Sequence, residues 1–522
     1  MRNQPDILLI VLDTVRADRL SCYGYERETT PHLDAFAESG VLFERAISPA
    51  QWTIPAHASI FTGEYPTTHM TTQIYDRHSD EQTTLAEALH RHGYQTVGFC
   101  NNPLLGVVDN ELDRGFEAFY NYGGAIPERP PCVDARPRRA ARLTQHVIRR
   151  LQPLMAPIQN LFAHNDFLLR IAMHPRLAPL WQRYVNFKGN TVQSMRDLIG
   201  YLRTRRRKEI ERPLFTFLNL MEAHLPYGPP MRFVREFAPY FRKDRQARRF
   251  MRLYNAQPYR WMAPITEPMS ELQDRVLNDM YDAELAYQDH LLRHLLNHVN
   301  KPEVREKTIV VITSDHGEGL NHHGFVGHSL VAYDDLVRVP LIVRYPEGYP
   351  AGERVSQPVS TRRIFHTILQ AAGVDELERV SAVDLTAMSL AQTLNGGDPE
   401  HGVVYTEAYT PKTLLALMEG ESEEVIEAFR CHMMRRAIYD GTHKLISVGD
   451  EPDELFDLAS DPAELKNLIG QEPDLATRLS RQLVVFQDDA KARRPANWEQ
   501  RRVELEDEAE IADRLRGLGY IE

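Results

Sequence analysis

A threonine, a proline and a histidine stand close together in the stretch SPAQWTIPAHASIFTG, residues 48–63, as Thr53, Pro55 and His57. Read as the opening of a helix, the stretch admits two uses for Thr53. Its hydroxyl can cap the first turn, where Pro55 is tolerated because the N–H groups there have no intrahelical partner. Those unpaired N–H groups and the positive end of the helix dipole also hold anions, so a hydroxyl at this point is placed to attack a phosphate or sulfate group. His57, one turn along, falls on the same face, in reach for orienting or deprotonating that hydroxyl.

Acid and imidazole side chains recur at other places. Asp13 closes the apolar run ILLIVLD (7–13), His224 follows PLFTFLNL (213–220), and KTIVVITSD (307–315) ends in Asp315 with His316 next. Each alone reads as a turn, cap or loop residue. Together, Asp13, Asp315 and His316 with the hydroxyl of Thr53 make a hard oxygen and nitrogen donor set that suits one divalent cation, Ca²⁺, Mg²⁺, Mn²⁺ or Zn²⁺. Such a cation would also lower the pKa of the Thr53 hydroxyl and so offset its weak nucleophilicity. Downstream, NHHGFVGHSL supplies His322, His323 and His328 on a glycine-rich loop. If the loop folds back over the site, His328 faces the substrate opposite the metal, as a donor to a substrate oxygen or to the leaving group. His322 reads equally as a surface residue. Asp282, Asp289 and His290 in YDAELAYQDH offer a second metal set, but their setting reads as helix packing, so one ion is expected.

These residues need a scaffold that carries distant strand ends to one rim. Short apolar runs alternate with longer helical patterns, which predicts an α/β fold: a mostly parallel central sheet flanked by helices, with ligands bound at the carboxyl ends of its strands. The runs 7–13, 95–100, 213–220, 307–315 and 339–346 are nearly continuous in apolar residues, as strands buried on both faces are. TPHLDAFAESG reads as a helix with Thr30 and Pro31 in N-cap and N1 order, and residues 277–299 carry apolar side chains at helical spacing. From 123 to 205 proline and arginine become frequent, and the text reads as a basic, helical insertion outside the sheet. After NGGDPEHG (395–402), shorter strand-like runs and a helical stretch from 461 predict a smaller C-terminal α+β subdomain, giving units of 1–395 and 396–522.

The whole chain sets outer bounds. Its 522 residues, 43% hydrophobic and 26% charged, describe an ordinary globular protein rather than a fibrous or disordered one. Its four cysteines, Cys22, Cys100, Cys132 and Cys431, are scattered, which argues against a disulfide framework or a cysteine-ligated zinc and points to a reducing, cytoplasmic setting. The apolar run Ile7–Leu12 is too short for a signal-peptide core or a transmembrane span. Within a net charge of −12, basic clusters gather at 136–150, 203–208 and 242–252. They suit steering of a small anionic ester substrate or peripheral membrane contact, although charge runs are usually solvated helix faces. With no aromatic residues interleaved and an acidic chain, nucleic acid is not an expected partner.

Long motifs in order carry a family resemblance. The run from ILLIVLDTVRADRL through SPAQWTIPAHASIFTGEYPTTHM, the segment SDHGEGLNHHGFVGHSLVAYDDLVRVPLIVRYP and the ending DELFDLASDPAELKNLI through LRGLGYIE together resemble the sulfatase family of the alkaline phosphatase superfamily. The resemblance implies metal ligation by Asp13, Asp315 and His316, a nucleophile position at Thr53, and contacts from His224 and His328 to the transferred group and leaving oxygen. Sulfatases of this family usually carry Cys or Ser in a Cys/Ser-x-Pro-x-Arg motif and convert it to formylglycine. Here the motif reads Thr53, Ile54, Pro55, Ala56, His57; Thr14 stands where a second aspartate often follows, and His328 where some relatives have lysine. A sulfated formylglycine expels sulfate by collapsing to the aldehyde, whereas a threonyl ester must be cleaved by water. The departures therefore lean the expectation from sulfate toward phosphate or phosphonate esters. A phosphotransferase that passes the group to an alcohol, and a non-catalytic anion-binding protein on the same fold, are the alternatives.

Overall fold

The computed structural model describes residues 4–123, 129–130, 188–256, 261, 268–374, 377, 385–415 and 423–499, except positions 75, 107, 109, 346 and 413. Most of the expected 123–205 insertion, the basic cluster at 136–150, Cys132 and the LRGLGYIE ending lie outside the described residues.

Eight strands form the central sheet: β1 (Asp6–Leu12), β2 (Val41–Phe43), β3 (Gln95–Cys100), β4 (Ala118–Asn121), β5 (Leu214–Leu220), β6 (Thr308–Thr313), β7 (Leu341–Arg344) and β8 (Glu353–Val355). Their spatial order is β8-β2-β7-β6-β1-β5-β3-β4. Strand β7 runs against both of its neighbours, and every other adjacent pair is parallel. The five apolar runs of the sequence are strands within two residues of their expected limits. The short β2, β4 and β8 escape sequence reading because runs of three or four residues carry no resolvable period.

Among the described residues the α-helices of seven residues or more are α1 (Pro31–Ala37), α2 (Thr53–Thr62), α3 (Leu85–Arg91), α4 (Thr191–Arg207), α5 (Met231–Phe237), α6 (Arg245–Ala256), α7 (Glu271–Val299), α8 (Arg363–Ala372) and α9 (Pro473–Ala492). Alternate side chains of β1 point to opposite faces, as the pleat requires. Ile7, Leu9 and Val11 pack with α2, α3 and α8; Leu8, Ile10 and Leu12 pack with α1, α4, α6 and α7. Both faces of the central strands are thus covered, which explains their unbroken apolar text.

Beyond the central sheet, β9 (Val403–Ala408), β10 (Arg435–Asp440), β11 (His443–Val448) and β12 (Glu451–Asp457) form an antiparallel sheet. One face meets Val331, Leu336 and Val337; the other packs on Leu479, Leu483 and Phe486 of α9. Helical structure begins at Pro473 rather than at 461, with Pro473 in the first turn where its missing N–H costs nothing. Among the described residues no helix is long and apolar enough to cross a membrane.

Candidate active site

Three strand ends and one helix start meet at the carboxyl edge of the central sheet. Asp13 follows β1, Asp315 and His316 follow β6, and the loop after β5 brings His224. The turn after β1 places Thr14 at φ 60°, a conformation uncommon for a β-branched residue. Hydrogen bonds hold it there: the Thr14 hydroxyl donates to the Asp13 carbonyl (2.7 Å), its N–H to Asp315 Oδ1 (3.3 Å), and its carbonyl accepts from the Tyr281 hydroxyl (2.7 Å). The Thr14 side chain is therefore bound back onto its own turn. On the other strand, Gly317 is pressed so closely on the chain that an added Cβ would lie 2.0 Å from the Asp335 carbonyl oxygen.

Thr53 is the first residue of α2, and Trp52 holds the N-cap position. The capping use of Thr53 is thus not realised. Its hydroxyl lies 3.3 Å from His316 Nε2. The α2 helix stops at Gly63, whose φ of 75° suits a residue without a Cβ.

Around this hydroxyl the donor atoms converge. His316 Nε2 is 3.4 Å from Asp315 Oδ2 and 4.0 Å from Asp13 Oδ1, and the ligand atoms of Asp13, Asp315 and His316 all lie within 4.8 Å of one another. Their outer atoms are already committed. Asp13 Oδ2 accepts from Asn102 Nδ2 (2.8 Å), Asp315 Oδ1 accepts from the His316 N–H (3.0 Å), and His316 Nδ1 donates to the Gly317 carbonyl (2.9 Å). The last bond fixes the tautomer and leaves the Nε2 lone pair facing inward, the usual support for a metal-ligating imidazole. Asp13 Oδ1 and Asp315 Oδ2 are buried with no hydrogen-bond partner among the described residues. Two buried carboxylate oxygens, one imidazole lone pair and one hydroxyl aimed at a common space are what a divalent cation requires. Burial and the nearby Asp13 carboxylate hold the Asp315 carboxyl well above its usual range. Burial, then the neighbouring His328, holds His316 well below its usual value.

From the sequence, His57 is expected to orient or deprotonate Thr53. Its Nδ1 bonds the Thr53 carbonyl oxygen at 2.9 Å and lies 3.4 Å from Asp315 Oδ2, and no described hydrogen bond joins its ring to the Thr53 hydroxyl. Its ring meets Phe61 and Phe217 edge-on, and burial pushes its pKa down to about 4. The ring is thus a neutral imidazole bonded to the first turn of α2 at the Thr53 carbonyl.

His224 and His328 do stand together. Their ring centroids are 4.9 Å apart, and His328 lies 4.5 Å from His316. His224 Nδ1 bonds the Leu225 carbonyl oxygen at 2.5 Å. Burial, then His328, lowers its pKa. His328 Nδ1 bonds Glu318 Oε1 at 3.0 Å. Burial disfavours the His328 cation, but the Glu318 carboxylate outweighs it and the pKa is raised. Two adjacent imidazoles are thus pushed in opposite directions, the pattern that separates a proton donor from a neutral partner.

The remaining histidines and acids lie elsewhere. His322 pairs with Asp335 (2.8 Å) and His323 stacks on Tyr333 (3.9 Å between centroids). Asp282 pairs with Arg27 (2.7 Å), and Asp289 accepts from the His32 and Leu33 N–H groups (3.1 and 2.8 Å), capping α1 from outside. His290 packs edge-on against Phe233. Asp282, Asp289 and His290 thus each have partners of their own within the fold. Sequence reading missed Asn102 and Glu318. Both carried a signal: Asn102 falls at the carboxyl end of β3, on the rim where ligands gather, and Glu318 sits two residues after His316.

Residues 5–374 match the family model for sulfatases, and the chain belongs to the sulfatase family. It is accordingly a sulfuric- or phosphoric-ester hydrolase of a family generally dependent on a divalent metal. Among its relatives, the uncharacterized sulfatase YidJ of Escherichia coli (strain K12) is 22% identical over 471 residues, covering 89% of this chain and 83% of the relative. The N-acetylglucosamine-6-O-sulfatase of Bacteroides thetaiotaomicron is 21% identical over 503 residues, 90% of this chain and 83% of its own. Among solved structures, the phosphonate monoester hydrolase of Agrobacterium radiobacter superposes with a TM-score of 0.62 at 20% identity, covering 93% of this chain and 96% of that one.

Proposed function

We propose that this chain hydrolyses phosphate or phosphonate monoesters, with Thr53 as the nucleophile and one divalent cation held by Asp13, Thr53, Asp315 and His316. The observation that carries the reading is the Thr53 hydroxyl, 3.3 Å from His316 Nε2, beside two buried carboxylate oxygens that lack partners. The imidazole in the donor set favours Mn²⁺ or Zn²⁺ over Ca²⁺. A bound cation supplies the positive charge that lowers the pKa of the hydroxyl and stabilises its alkoxide. The N-terminus of α2 adds backbone N–H groups for the anionic group under attack.

The chain's own residues do the rest. Thr53 gives up its hydroxyl proton to solvent, and its Oγ forms a bond to phosphorus as the bond to the leaving oxygen breaks in line. His328, whose pKa the Glu318 carboxylate raises, donates its proton to that oxygen. His224 is neutral, its Nδ1–H committed to the Leu225 carbonyl, so Nε2 is the atom left to accept a proton from the water that cleaves the threonyl ester. The water oxygen bonds to phosphorus as the bond to Thr53 Oγ breaks, His224 passes the proton it took to Oγ, and His328 regains one from solvent. A threonine lacks the aldehyde route that releases sulfate from formylglycine, which is why phosphorus esters are the substrates proposed. The resemblance to a phosphonate monoester hydrolase structure supports the same choice.

We assign the catalytic unit to 1–395 and the C-terminal subdomain to 396–522; residues 191–205 of the expected insertion belong to α4, which packs on the sheet through Met195 and Leu198. Cys22, Cys100 and Cys431 are free thiols, which supports a reducing, cytoplasmic location. The test uses matched aryl sulfate, aryl phosphate, phosphodiester and phosphonate monoester substrates with added Mn²⁺. Turnover of the phosphorus monoesters is expected, falling at least about a thousandfold in Thr53→Ala. Turnover of the sulfate alone, or full activity in Thr53→Ala, would refute the assignment.

A further inference from the structure

The loop after β5 carries His224, and side chains from three distant parts of the chain hold its backbone. Lys188 Nζ donates to the Glu222 carbonyl (2.8 Å) and to Glu284 Oε1 (2.8 Å). The same Glu284 oxygen accepts from the Gly228 N–H at 2.7 Å. Asn255, at the end of α6, accepts from the Tyr227 N–H (2.9 Å) and donates to the Tyr227 carbonyl (2.6 Å). The loop is thus gripped at residue 222 and at residues 227–228, on either side of His224.

Glu284 is an unusual residue for its place. It lies in the middle of α7, 1% exposed, one of several polar side chains that this helix buries. Burial pushes its carboxyl up to about 7 even with Lys188 beside it. A buried ion pair of this kind is seldom the most stable way to fill a core, so its presence points to a use other than stability. The grip also reaches the second histidine. The Tyr227 hydroxyl lies 3.4 Å from Glu318 Oε2, and the other oxygen of Glu318 holds His328.

We propose that Glu284, acting with Lys188, is a positioning residue that holds the His224 loop so that the His224 ring stays against His328. The proposal rests on the reading above in one respect, that His224 acts on the ester. Displacement of a reacting group by about 1 Å costs up to about a hundredfold in rate, so a loosened loop lowers kcat more than it raises KM.

The experiment is a double-mutant cycle on the metal-loaded enzyme: wild type, Glu284→Ala, His224→Ala and the double variant, with Glu284→Gln and Lys188→Ala alongside. Folding of each is checked by thermal melting. Glu284→Ala is expected to lower kcat about tenfold with KM within about twofold. Glu284→Gln should recover most of this, since an amide oxygen still accepts from Gly228 and Lys188. The double variant should be no slower than His224→Ala, because positioning acts only through the residue positioned. Additive losses in the double variant, or an unchanged kcat in both Glu284→Ala and Lys188→Ala, would overturn the proposal. A wild type inactive toward every ester would sink the functional reading alone. The imidazole ¹⁵N spectrum of His224 then decides: one Nδ1–H tautomer in the wild type and averaged tautomers in Lys188→Ala and Glu284→Ala support the grip, and identical spectra refute it.

Discussion

Asp13, Asp315 and His316 at the strand ends, and Lys444, Asp334 and Glu464 beneath the C-terminal sheet, are both clusters of buried polar groups, but only the second is neutralised by its own side chains. Lys444 is fully buried, with its ammonium 2.9 Å from Asp334 Oδ1 and 2.5 Å from Glu464 Oε1. Asp334 Oδ1 also accepts from the Tyr439 hydroxyl at 2.7 Å. At the strand ends two carboxylates converge with neutral imidazoles and no described cation within ion-pair distance. Buried like charges cost several kcal/mol when uncompensated. One cluster has met that cost internally and serves as mortar; the other keeps it open for a ligand of opposite charge. The two are joined: Asp335, next to Asp334, pairs with Arg16 (2.5 Å), and Arg16 donates to the Glu318 carbonyl (3.2 Å). The C-terminal sheet thereby braces the floor of the active site.

Single substitutions should pull the clusters apart in opposite directions. Asp315→Asn removes a ligand, and its expected loss in kcat/KM is at least about a thousandfold, near 4 kcal/mol. In the metal-free protein the same change relieves repulsion with Asp13, so urea unfolding should show a gain of about 1 kcal/mol. Added Mn²⁺ should raise the Tm of the wild type and leave that of Asp315→Asn nearly unchanged. A metal-free Asp315→Asn less stable than wild type would place the strand-end cluster with the mortar. Lys444→Met does the reverse. It leaves two carboxylates without their cation, and urea unfolding should show about 3–5 kcal/mol lost, while the folded fraction keeps a kcat within about twofold of wild type.

A smaller effect separates both clusters from histidines that are buried for packing. His69, 2% exposed, is pushed down to about 3 by burial, and its Nε2 bonds Ser59 Oγ at 3.0 Å. Its unfolded pKa is near 6.5. Below that value the unfolded chain binds a proton that the folded one refuses, so stability is whole above about 6.5 and is lost as pH falls toward 3, by up to about 1.4 kcal/mol per unit. His69→Gln should flatten the Tm against pH profile between 6 and 4; an unchanged slope would show that His69 is charged in the fold.

Much of this was legible in the chain. Strands buried on both faces write unbroken apolar text, so β1, β3, β5 and β6 and the strand-end residues after them could be read directly. Asp13, Asp315, His316 and Thr53 meet in one pocket because the parallel order sends their ends to one rim. The role of His57 was not legible, because helical spacing gives a face but not which atom a ring nitrogen chooses. Nor was the grip on the His224 loop: Lys188, Asn255 and Glu284 come from three segments that only the packing of α6 and α7 against β5 brings together. The direction of β7 was hidden too, since a buried strand reads the same whichever way it runs.

The central claim is that Thr53 forms the bond to the transferred group. Wild-type protein loaded with Mn²⁺ and mixed with an aryl phosphonate or phosphate monoester, quenched in acid within a turnover and digested, reports this by peptide mass. The account predicts the added phosphoryl or phosphonyl group on the peptide containing Thr53 and its absence when Thr53→Ala is treated alike. An adduct on another residue, or turnover with no adduct at any quench time and ¹⁸O-water incorporated by direct inversion at phosphorus, would contradict it.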